Sequence, residues 1–582
     1  MRIQEFNRRE QRKQSTERLF WRVIQAADGG RSSKQQTFLS RSLNTSVSCV
    51  LQTLNFFAAC DEISRRAFCV FSRLSAAISR DPYPSVCIRG CSSFAVFRSI
   101  ISCSILLFLF LAGCAVGPNY RPPKTKAPAQ WNESLAGGET NSAITTTGWW
   151  TNFNDSELDS LVGRAARSNL DLRIAQARVR EARAQYGIAS ADLWPTLDGS
   201  TSYARQRQSQ HQPLVDSVPL AGVPFENNVY QAGFDASWEV DVFGGKRRAK
   251  EAAGAQVSAS EFGRRDVLIT LLGDVARNYV DLRGYQGRLA ITRENIDAQE
   301  RALAITRDRF AKGLSSDLDV QQASTVLATT RAEVPTLESS IQISMHRLEV
   351  LLGQQPGSLQ GELSQASPIP AQPPVVPVGL PSELLLRRPD IRQAERQLAA
   401  ATANIGVAKS DLFPRFFLTG AAGFQGISAN QWFTAGSQFW SVGPTMQWRI
   451  FDAGRIRSNI KVQNARQEET LAAYEKTVLT AFEEVENGLV AYAKEQVRRR
   501  SLEDAVVSSQ KSLDTANKLY ANGLTDFLRV LDAERSLYHS QDALVQSDRT
   551  ISADLISLYK SLGGGWEKID SSPLARNGPS TK

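Results

Sequence analysis

The sequence has few of the side chains that form disulfides or bind transition metals. Its 582 residues include seven Cys, three His and three Met. Six of the Cys precede residue 114, so Cys114 is the only one in the rest of the chain, and His211, His346 and His539 are far apart. This distribution excludes an intrachain disulfide after residue 113 and argues against a zinc site, so we expect no metal or other cofactor.

The chain also lacks an excess of charge once its first 113 residues are set apart. The whole sequence has 68 Lys and Arg against 59 Asp and Glu, a net charge of +9. Residues 1–113 contain 16 basic and 7 acidic residues, which leaves 52 of each from residue 114 onward. The basic character therefore does not indicate binding to nucleic acid, and we expect no such partner.

Long hydrophobic runs are absent too. The apolar run in Ser99–Gly113 has roughly 14 residues, whereas a membrane-spanning helix needs about 20. It has the length of the hydrophobic region of a secretion signal, with Arg98 before it. Leu111–Cys114 (LAGC) resembles a bacterial lipobox, which implies a signal peptide over 98–113 and a diacylglycerol and N-acyl lipid on Cys114. The alternative is a short buried helix that ends in Cys.

Residues 1–97 do not have the pattern of a domain, because they show no sustained periodicity. A signal placed behind about 97 residues would not act as an N-terminal signal. We therefore expect these residues to be an upstream extension that arises from a start codon assigned too early. No Met lies between Met1 and Met345, so initiation would use another codon, such as that of Val96. The alternative is a real cytosolic extension.

The rest of the chain contains an internal repeat. Asp171–Pro195 matches Asp390–Pro414 at an offset of 219, and Phe310–Val320 matches Tyr520–Val530 at an offset of 210. We predict that the first repeat spans 114–352 and the second 390–565. Between them lies a Pro-rich linker, 353–389, with one short helix at 382–387, and a tail follows at 566–582.

Each repeat contains a long coiled-coil pattern. Apolar side chains recur every seven residues from Leu268 to Phe310, and with one exception from Val478 to Tyr520. This pattern predicts helices of about 65–70 residues, on the order of 100 Å long. Short turns at Gly313 and Gly523 would then begin a second helix. We therefore expect helical hairpins over about 245–352 and 453–562.

Strict alternation of apolar and polar side chains predicts strands at 230–242 and 440–450, with weaker partners at 196–205 and 415–425. They have the roughly 9–11 residues that cross a bilayer when tilted. Aromatic side chains lie near the predicted ends, as at membrane interfaces: Trp194, Phe413, Trp432, Phe433 and Trp440. The alternative is a sheet of a soluble protein, with one face exposed to solvent and the other packed on a core.

Four strands cannot close a barrel, because the smallest membrane barrels use 8 strands and open edges are not tolerated in lipid. Two copies would give a narrow barrel filled by side chains, whereas three would leave a channel. The polar face favours three copies. The predicted fold is an α+β membrane protein, with a long antiparallel α-helical barrel and four transmembrane β-strands per protomer that close as a 12-stranded barrel in a homotrimer.

Several motifs together resemble the TolC-like outer membrane factor family, in its OprM/NodT-like lipoprotein branch. After the lipobox they are Gly117–Tyr120 (GPNY), Gly148–Trp150 (GWW), Leu384–Asp390 (LLLRRPD), Asp411–Pro414 (DLFP) and Phe451–Gly454 (FDAG). The resemblance covers roughly residues 111–565. It implies the outer-membrane exit duct of a tripartite efflux system, with a periplasmic membrane-fusion adaptor protein and an inner-membrane resistance-nodulation-division transporter as partners. It also implies a non-catalytic protein.

The resemblance further implies a gate at the periplasmic end of the duct, where the helical hairpins turn. The gate residues that it suggests are Tyr520, Leu528, Asp532, Arg535, Asp526, Asp317 and Asp319. The two turns would contact the adaptor through Lys312, Gly313, Leu314, Asn522, Gly523 and Leu524. Rings of carboxylates in a narrow pore favour cations. The simpler interpretation is that Asp526 caps a helix and that Asp532 and Arg535 are an exposed pair.

Two other classes remain open from the sequence. A coiled-coil periplasmic adaptor or scaffold would share the lipobox and hairpins, but not the paired, aromatic-flanked strands. A TolC-like duct for protein secretion would share the whole fold. An enzyme is the least supported, because no nucleophile and base are brought together by any motif after residue 113.

Overall fold

The computed structural model describes residues 115–125, 127–132, 139–140, 148–207, 226–371, 376–379 and 381–570. The chain divides into the units Met1–Ser102 and Cys103–Lys582, and every described residue lies in the second. The predicted upstream extension, the predicted signal peptide, Cys114 and residues 571–582 lie outside the described residues.

Four long helices dominate the described part of the chain. Two of them have 67 residues, and each is followed, after a five-residue turn, by one of 35 residues. The 67-residue helices begin within two residues of the predicted hairpins, at Gly245 and Arg455, and end one residue beyond the last heptad positions, Phe310 and Tyr520. The helices are α1 (Ser156–Ser168), α2 (Leu170–Ala191), α3 (Gly245–Ala311), α4 (Asp317–Leu351), α5 (Gln360–Leu363), α6 (Pro381–Arg387), α7 (Pro389–Ser410), α8 (Arg455–Ala521), α9 (Phe527–Ser561) and α10 (Trp566–Asp570).

The heptad positions explain which face of each long helix is buried. Leu268, Val275 and Leu282 of α3 are fully buried, as is Val485 of α8. Near the turn the same stripe opens, and Phe310 is 45% exposed. The upper part of each hairpin is therefore held by a continuous apolar seam, where each buried Val or Leu contributes about 1.5–3 kcal/mol.

Four strands form one antiparallel sheet in the order β1-β2-β3-β4. Each strand lies within four residues of its predicted bounds at either end. They are β1 (Thr196–Arg207), β2 (Glu226–Val240), β3 (Arg415–Gly426) and β4 (Gln438–Gln447). The connection from β3 to β4 contains the 3₁₀ turns Ala429–Gln431 and Ala435–Ser437.

The main hydrophobic core lies where the long helices meet the short elements. Trp149, in the 3₁₀ helix Trp149–Phe153, is 1% exposed and stacks on Tyr559 of α9 at 5.4 Å between ring centroids. Tyr279 of α3 donates a hydrogen bond to Asp155, the N-cap of α1, at 2.8 Å. These contacts fix α1 and the 3₁₀ helix against α3 and α9.

The predicted linker 353–389 is more structured than its proline content suggests. It contains α5 as well as α6, and α6 agrees with the helix predicted at 382–387. A two-residue strand, Val376–Pro377, pairs in parallel with Glu139–Thr140. Glu349 of α4 orders the start of the linker, because its carboxylate accepts the backbone N–H groups of Gly357 and Leu359 at 2.8 Å each.

Candidate functional site

The sheet has one apolar and one polar face, and the strand register aligns them across all four strands. Phe234 is opposite Gly199 on one side and Ala422 on the other, and Ala422 is opposite Trp440. Further residues of the apolar face are Leu197, Tyr203, Trp238, Val240, Phe416, Leu418, Phe424, Val442 and Met446. The other face contains Asp198, Ser200, Gln231, Asp235, Glu239, Thr419, Gln425, Ser441, Thr445 and Gln447.

The apolar face has no cover in the described part of the chain. Phe234 is 63% exposed, Trp440 78% and Val442 68%. In water, apolar surface of this extent is unfavourable, so it marks a face that meets lipid or another protein. The alternation that the sequence predicts therefore produces a sheet suited to separating lipid from water.

Aromatic side chains form a group at each end of the sheet. At one end the rings of Trp432 and Phe433 stack at 4.8 Å, and Tyr230 lies 5.5 Å from Trp432. At the end nearer the helices, Phe413 stacks on Phe243 at 4.6 Å. The predicted positions near the strand ends hold for these residues and for the 73% exposed Trp194, whereas Trp440 lies within β4.

The outer edges of the sheet are open within the described residues. β1 pairs only with β2, and β4 pairs only with β3. Each outer edge therefore presents backbone N–H and C=O groups to a further strand. A sheet of this kind inside a membrane has to be completed by further strands.

An N-terminal segment, residues 115–125, is held against the junction between sheet and helices. Arg248, which is 4% exposed, donates a hydrogen bond to Asn119 at 2.5 Å. Gly117 has a φ of 107°, and a Cβ there would lie 2.5 Å from the Cα of Gly406 in α7. This close approach explains a glycine at both positions. The segment contains the GPNY motif and begins next to Cys114.

The two predicted turns at the far end of the hairpins have the same geometry. Gly313 and Gly523 have φ of 73° and 71°. Leu314 N–H donates to Arg309 O at 2.8 Å, and Leu524 N–H donates to Leu519 O at 2.9 Å, as in Schellman caps. Both leucines are exposed, at 65% and 73%. The remaining predicted contact residues, Lys312 and Asn522, are the C-caps of α3 and α8.

Three of the predicted gate carboxylates begin helices at these turns. Asp319 forms a capping box with Ser316, whose hydroxyl accepts its N–H at 3.3 Å. Asp526 is the N-cap of α9 and accepts the N–H of Arg529 at 3.3 Å. Asp317 accepts a hydrogen bond from Gln321 at 3.3 Å. These contacts define the helix starts and place the carboxylates at the tip.

The other predicted gate residues differ in their exposure. Leu528 is 44% exposed, and Asp532 and Arg535 are exposed about one and two turns further along α9. Tyr520 is half-buried, and its ring lies 5.6 Å from that of Phe527. The structure thus brings these residues together near the turns of the hairpins, with the side chains of Asp532 and Arg535 exposed.

A separate apolar cluster, the tip core, joins all four long helices just above the turns. Its buried members are Leu303, Ala323, Val326, Leu327, Phe527, Val530 and Leu531, with Leu513 and Tyr520 packed against it. The two hairpins are therefore attached to each other at the tip.

Sequence reasoning did not identify two side chains in this region. Arg309 contacts Tyr520 from the end of α3. Glu534 lies between Asp532 and Arg535, and burial raises its pKa to about 7. A comparison of the two repeats could have pointed to Arg309, because the second repeat has Leu519 at the corresponding position and therefore lacks the charge. For Glu534 no sequence signal distinguishes it from its exposed neighbours.

The described residues contain no group of three or more His, Cys, Asp or Glu placed to hold a metal ion. No helix among them combines the length and apolar character needed to cross a membrane.

A sheet with one lipid-compatible face and two open edges, joined to long helical hairpins, is typical of an outer-membrane channel protein. The chain belongs to the Outer membrane efflux protein family, which matches residues 161–354 and 380–564. The predicted family, the outer-membrane location and the role as an efflux duct are confirmed.

Relatives agree with this assignment over almost their whole length. The chain is 35% identical to the solvent efflux pump outer membrane protein SrpC of Pseudomonas putida, over 80% of this chain and 98% of SrpC. It is 32% identical to the probable outer membrane lipoprotein SilC of Salmonella typhimurium, over 80% and 98% respectively. The solved structure of the outer-membrane channel OprN has a TM-score of 0.73 and 36% identity, and the similarity covers 78% of this chain and all of OprN.

Proposed function

We propose that the chain is one of three identical subunits of the outer-membrane exit duct of a tripartite efflux system. The duct would receive small molecules from an inner-membrane transporter of the resistance-nodulation-division class, through a periplasmic adaptor protein. The observation that supports this most directly is the sheet, whose apolar face is uncovered and whose two edges are open. The duct itself would catalyse no reaction.

The trimer follows from the strand count and the polar face. Three copies of the four-stranded sheet supply 12 strands, and joining β4 of one copy to β1 of the next satisfies the open edges. A barrel of 8 strands would be filled by its own side chains, whereas a larger one leaves an aqueous passage. Side chains such as Asp235, Ser441 and Thr445 would then line water, and Phe234 and Val442 would face lipid.

The helices would continue this passage across the periplasm. At 1.5 Å per residue, the 67 residues of α3 and α8 reach on the order of 100 Å. We interpret 114–352 and 390–565 as duplicated units, because each contains two strands of the sheet followed by helices of 67 and 35 residues. Three copies would contribute six such units to one tube.

A lipid on Cys114 would fix the duct in the outer membrane. Val116 N–H donates to Phe243 O at 3.0 Å, just beyond the end of β2. The N-terminal segment therefore lies at the sheet–helix junction, where the barrel would leave the membrane, and Cys114 directly precedes this segment in the sequence. A single acyl chain binds a bilayer weakly, but several chains together with a barrel would anchor it stably. The name of SilC as a lipoprotein supports this assignment.

At the tip, Tyr520, Leu528, Asp532, Arg535, Asp526, Asp317 and Asp319 would form the periplasmic gate. Carboxylates from three copies would surround a narrow pore and favour cations. Asp532 and Arg535 would pair between helices of neighbouring copies and resist widening of the tip.

The adaptor would contact the two turns. Lys312–Leu314 and Asn522–Leu524 protrude at the tip, and Leu314 and Leu524 are uncovered in the described chain. A photo-crosslinking amino acid at Leu524 is expected to capture the adaptor protein in cells. The control is Leu479, which is 68% exposed but about 60 Å higher on α8. Equal capture from both positions would contradict the contact.

Assembly can be tested in outer-membrane fractions. Unheated protein is expected to migrate as a trimer in SDS gels and boiled protein as a monomer, because a closed barrel resists the detergent until heated. A monomer in both lanes, from protein that is present in the outer membrane, would contradict the proposed trimer.

A further inference from the structure

The ends of the two 67-residue helices meet at the tip through Arg309 of α3 and Tyr520 of α8. The guanidinium carbon of Arg309 lies 4.4 Å from the centroid of the Tyr520 ring. Its Nη1 also donates a hydrogen bond to the backbone carbonyl of Tyr520 at 3.4 Å. Tyr520 is the residue before the last of α8, so this carbonyl lies at the negative end of the helix dipole. One cation therefore contacts both the ring and the terminus of the neighbouring helix.

This contact is partly shielded from water, because Arg309 and Tyr520 are both half-buried. The Nε of Arg309 and the hydroxyl of Tyr520 are buried, and neither has a hydrogen-bond partner in the described part of the chain. The Tyr520 ring also packs against the tip core. A cation–π contact is stronger when desolvated. Tyr520 is therefore held through its ring and its backbone carbonyl and not through its hydroxyl.

The repeat does not reproduce the contact. At the offset of 210, Leu519 corresponds to Arg309 and Phe310 corresponds to Tyr520. The corresponding pair, Leu519 and Phe310, contains no cation, and these side chains are 40% and 45% exposed, respectively. The charged contact therefore exists only in one direction, from the first hairpin to the second within a protomer.

We propose that Arg309 is a positioning residue for the gate, which holds the tip of the α8–α9 hairpin against α3 and keeps Tyr520 in the closed arrangement. This inference rests on the proposed duct. Widening of the tip would require α8 to leave α3, and the Arg309–Tyr520 contact would then be lost. The state of the duct would thus depend on a contact inside each protomer as well as on pairs between protomers.

The upper part of α3 is held to α9 independently of Arg309. Three residues of α3 at seven-residue spacing pair with α9, at distances from 2.6 to 3.9 Å: Asp274 with Lys560, Asp281 with Arg549, and Arg288 with Asp542. These pairs lie at least 21 residues, or about 30 Å, above Arg309. Loss of Arg309 should therefore loosen the tip without separating the hairpins.

Single-channel recording in planar lipid bilayers tests the proposal. Arg309→Ala is expected to raise the ratio of open to closed dwell time about fivefold or more, the size expected for losing one partly desolvated cation–π contact. The matched control is Arg307→Ala, which removes an exposed Arg from the same helical turn and should behave as wild type. Arg309→Lys should lie between them, because Lys keeps the charge but not the planar fork.

A variant of the partner tests the same contact from the other side. Tyr520→Leu should resemble Arg309→Ala, because it removes the ring that the guanidinium contacts. Combining Arg309→Ala with Tyr520→Leu should add little to either single change, because both remove the same contact. Heat-modifiable trimer must persist in every variant, which shows that the effect is not a failure to assemble.

Two results would overturn the proposal. In one, Arg309→Ala forms trimers and has the open ratio of wild type. In the other, Tyr520→Leu forms trimers and has the open ratio of wild type, which would show that the ring contact does not hold the gate. A wild-type protein that forms no channel at all would instead reject the duct, so the two failures are distinguishable.

Discussion

Val442→Arg is expected to abolish assembly of the protein in the outer membrane. Val442 lies in the middle of β4 on the apolar face, is 68% exposed and faces lipid in the proposed barrel. An Arg at the midplane of a membrane barrel costs about 2–4 kcal/mol. Three copies carry this cost at once. Heat-modifiable trimer in outer-membrane fractions is the measurement.

The adjacent residue provides the control. Ser441 lies on the polar face of the same strand, so Ser441→Arg places the same side chain in water. It should assemble normally and change only the ion preference of the channel. If both variants assemble equally well, or if Ser441→Arg alone fails, the assignment of the two faces is wrong.

Asp532→Ala combined with Arg535→Ala is expected to raise single-channel conductance several-fold. Both side chains are exposed on α9 near the tip, where pairs between neighbouring copies would hold the pore narrow. Because both charges are removed, neither residue is left as an unpaired charge. The change in conductance therefore reports on the width of the pore.

Arg466→Ala with Glu469→Ala is the matched control for this gate. It removes an exposed pair of opposite charge at the same spacing, far up α8, and should leave the conductance unchanged. Unchanged conductance in the Asp532 and Arg535 double variant as well would reject these residues as the gate.

Much of the fold follows from local periodicity. The heptads of α3 and α8 and the alternation of β2 and β4 are repeated over many residues, so the element types and their bounds could be predicted closely. The turns could be predicted too, because Gly313 and Gly523 provide the positive φ that a helix end requires.

Contacts between distant segments could not be predicted in this way. The packing of Trp149 on Tyr559 joins residues more than 400 positions apart. Neither the ordering of the linker by Glu349 nor the docking of Gly117 on Gly406 has a periodic signal.

Some features of the candidate site could likewise be predicted from the sequence, and others could not. The composition of the two turns and the charges of α9 are visible in the sequence. The contact of Arg309 with Tyr520 depends on the antiparallel return of two hairpins, 211 residues apart. Periodicity finds elements, whereas the partners of single polar side chains depend on tertiary packing.

The most direct test of the account is single-channel recording of the purified wild-type trimer in planar lipid bilayers. We expect discrete conductance steps of one size, with a preference for cations set by the carboxylates at the tip. Trimeric protein that inserts into the bilayer but conducts no ions under any applied voltage, even with the Asp532 and Arg535 charges removed, would contradict the duct.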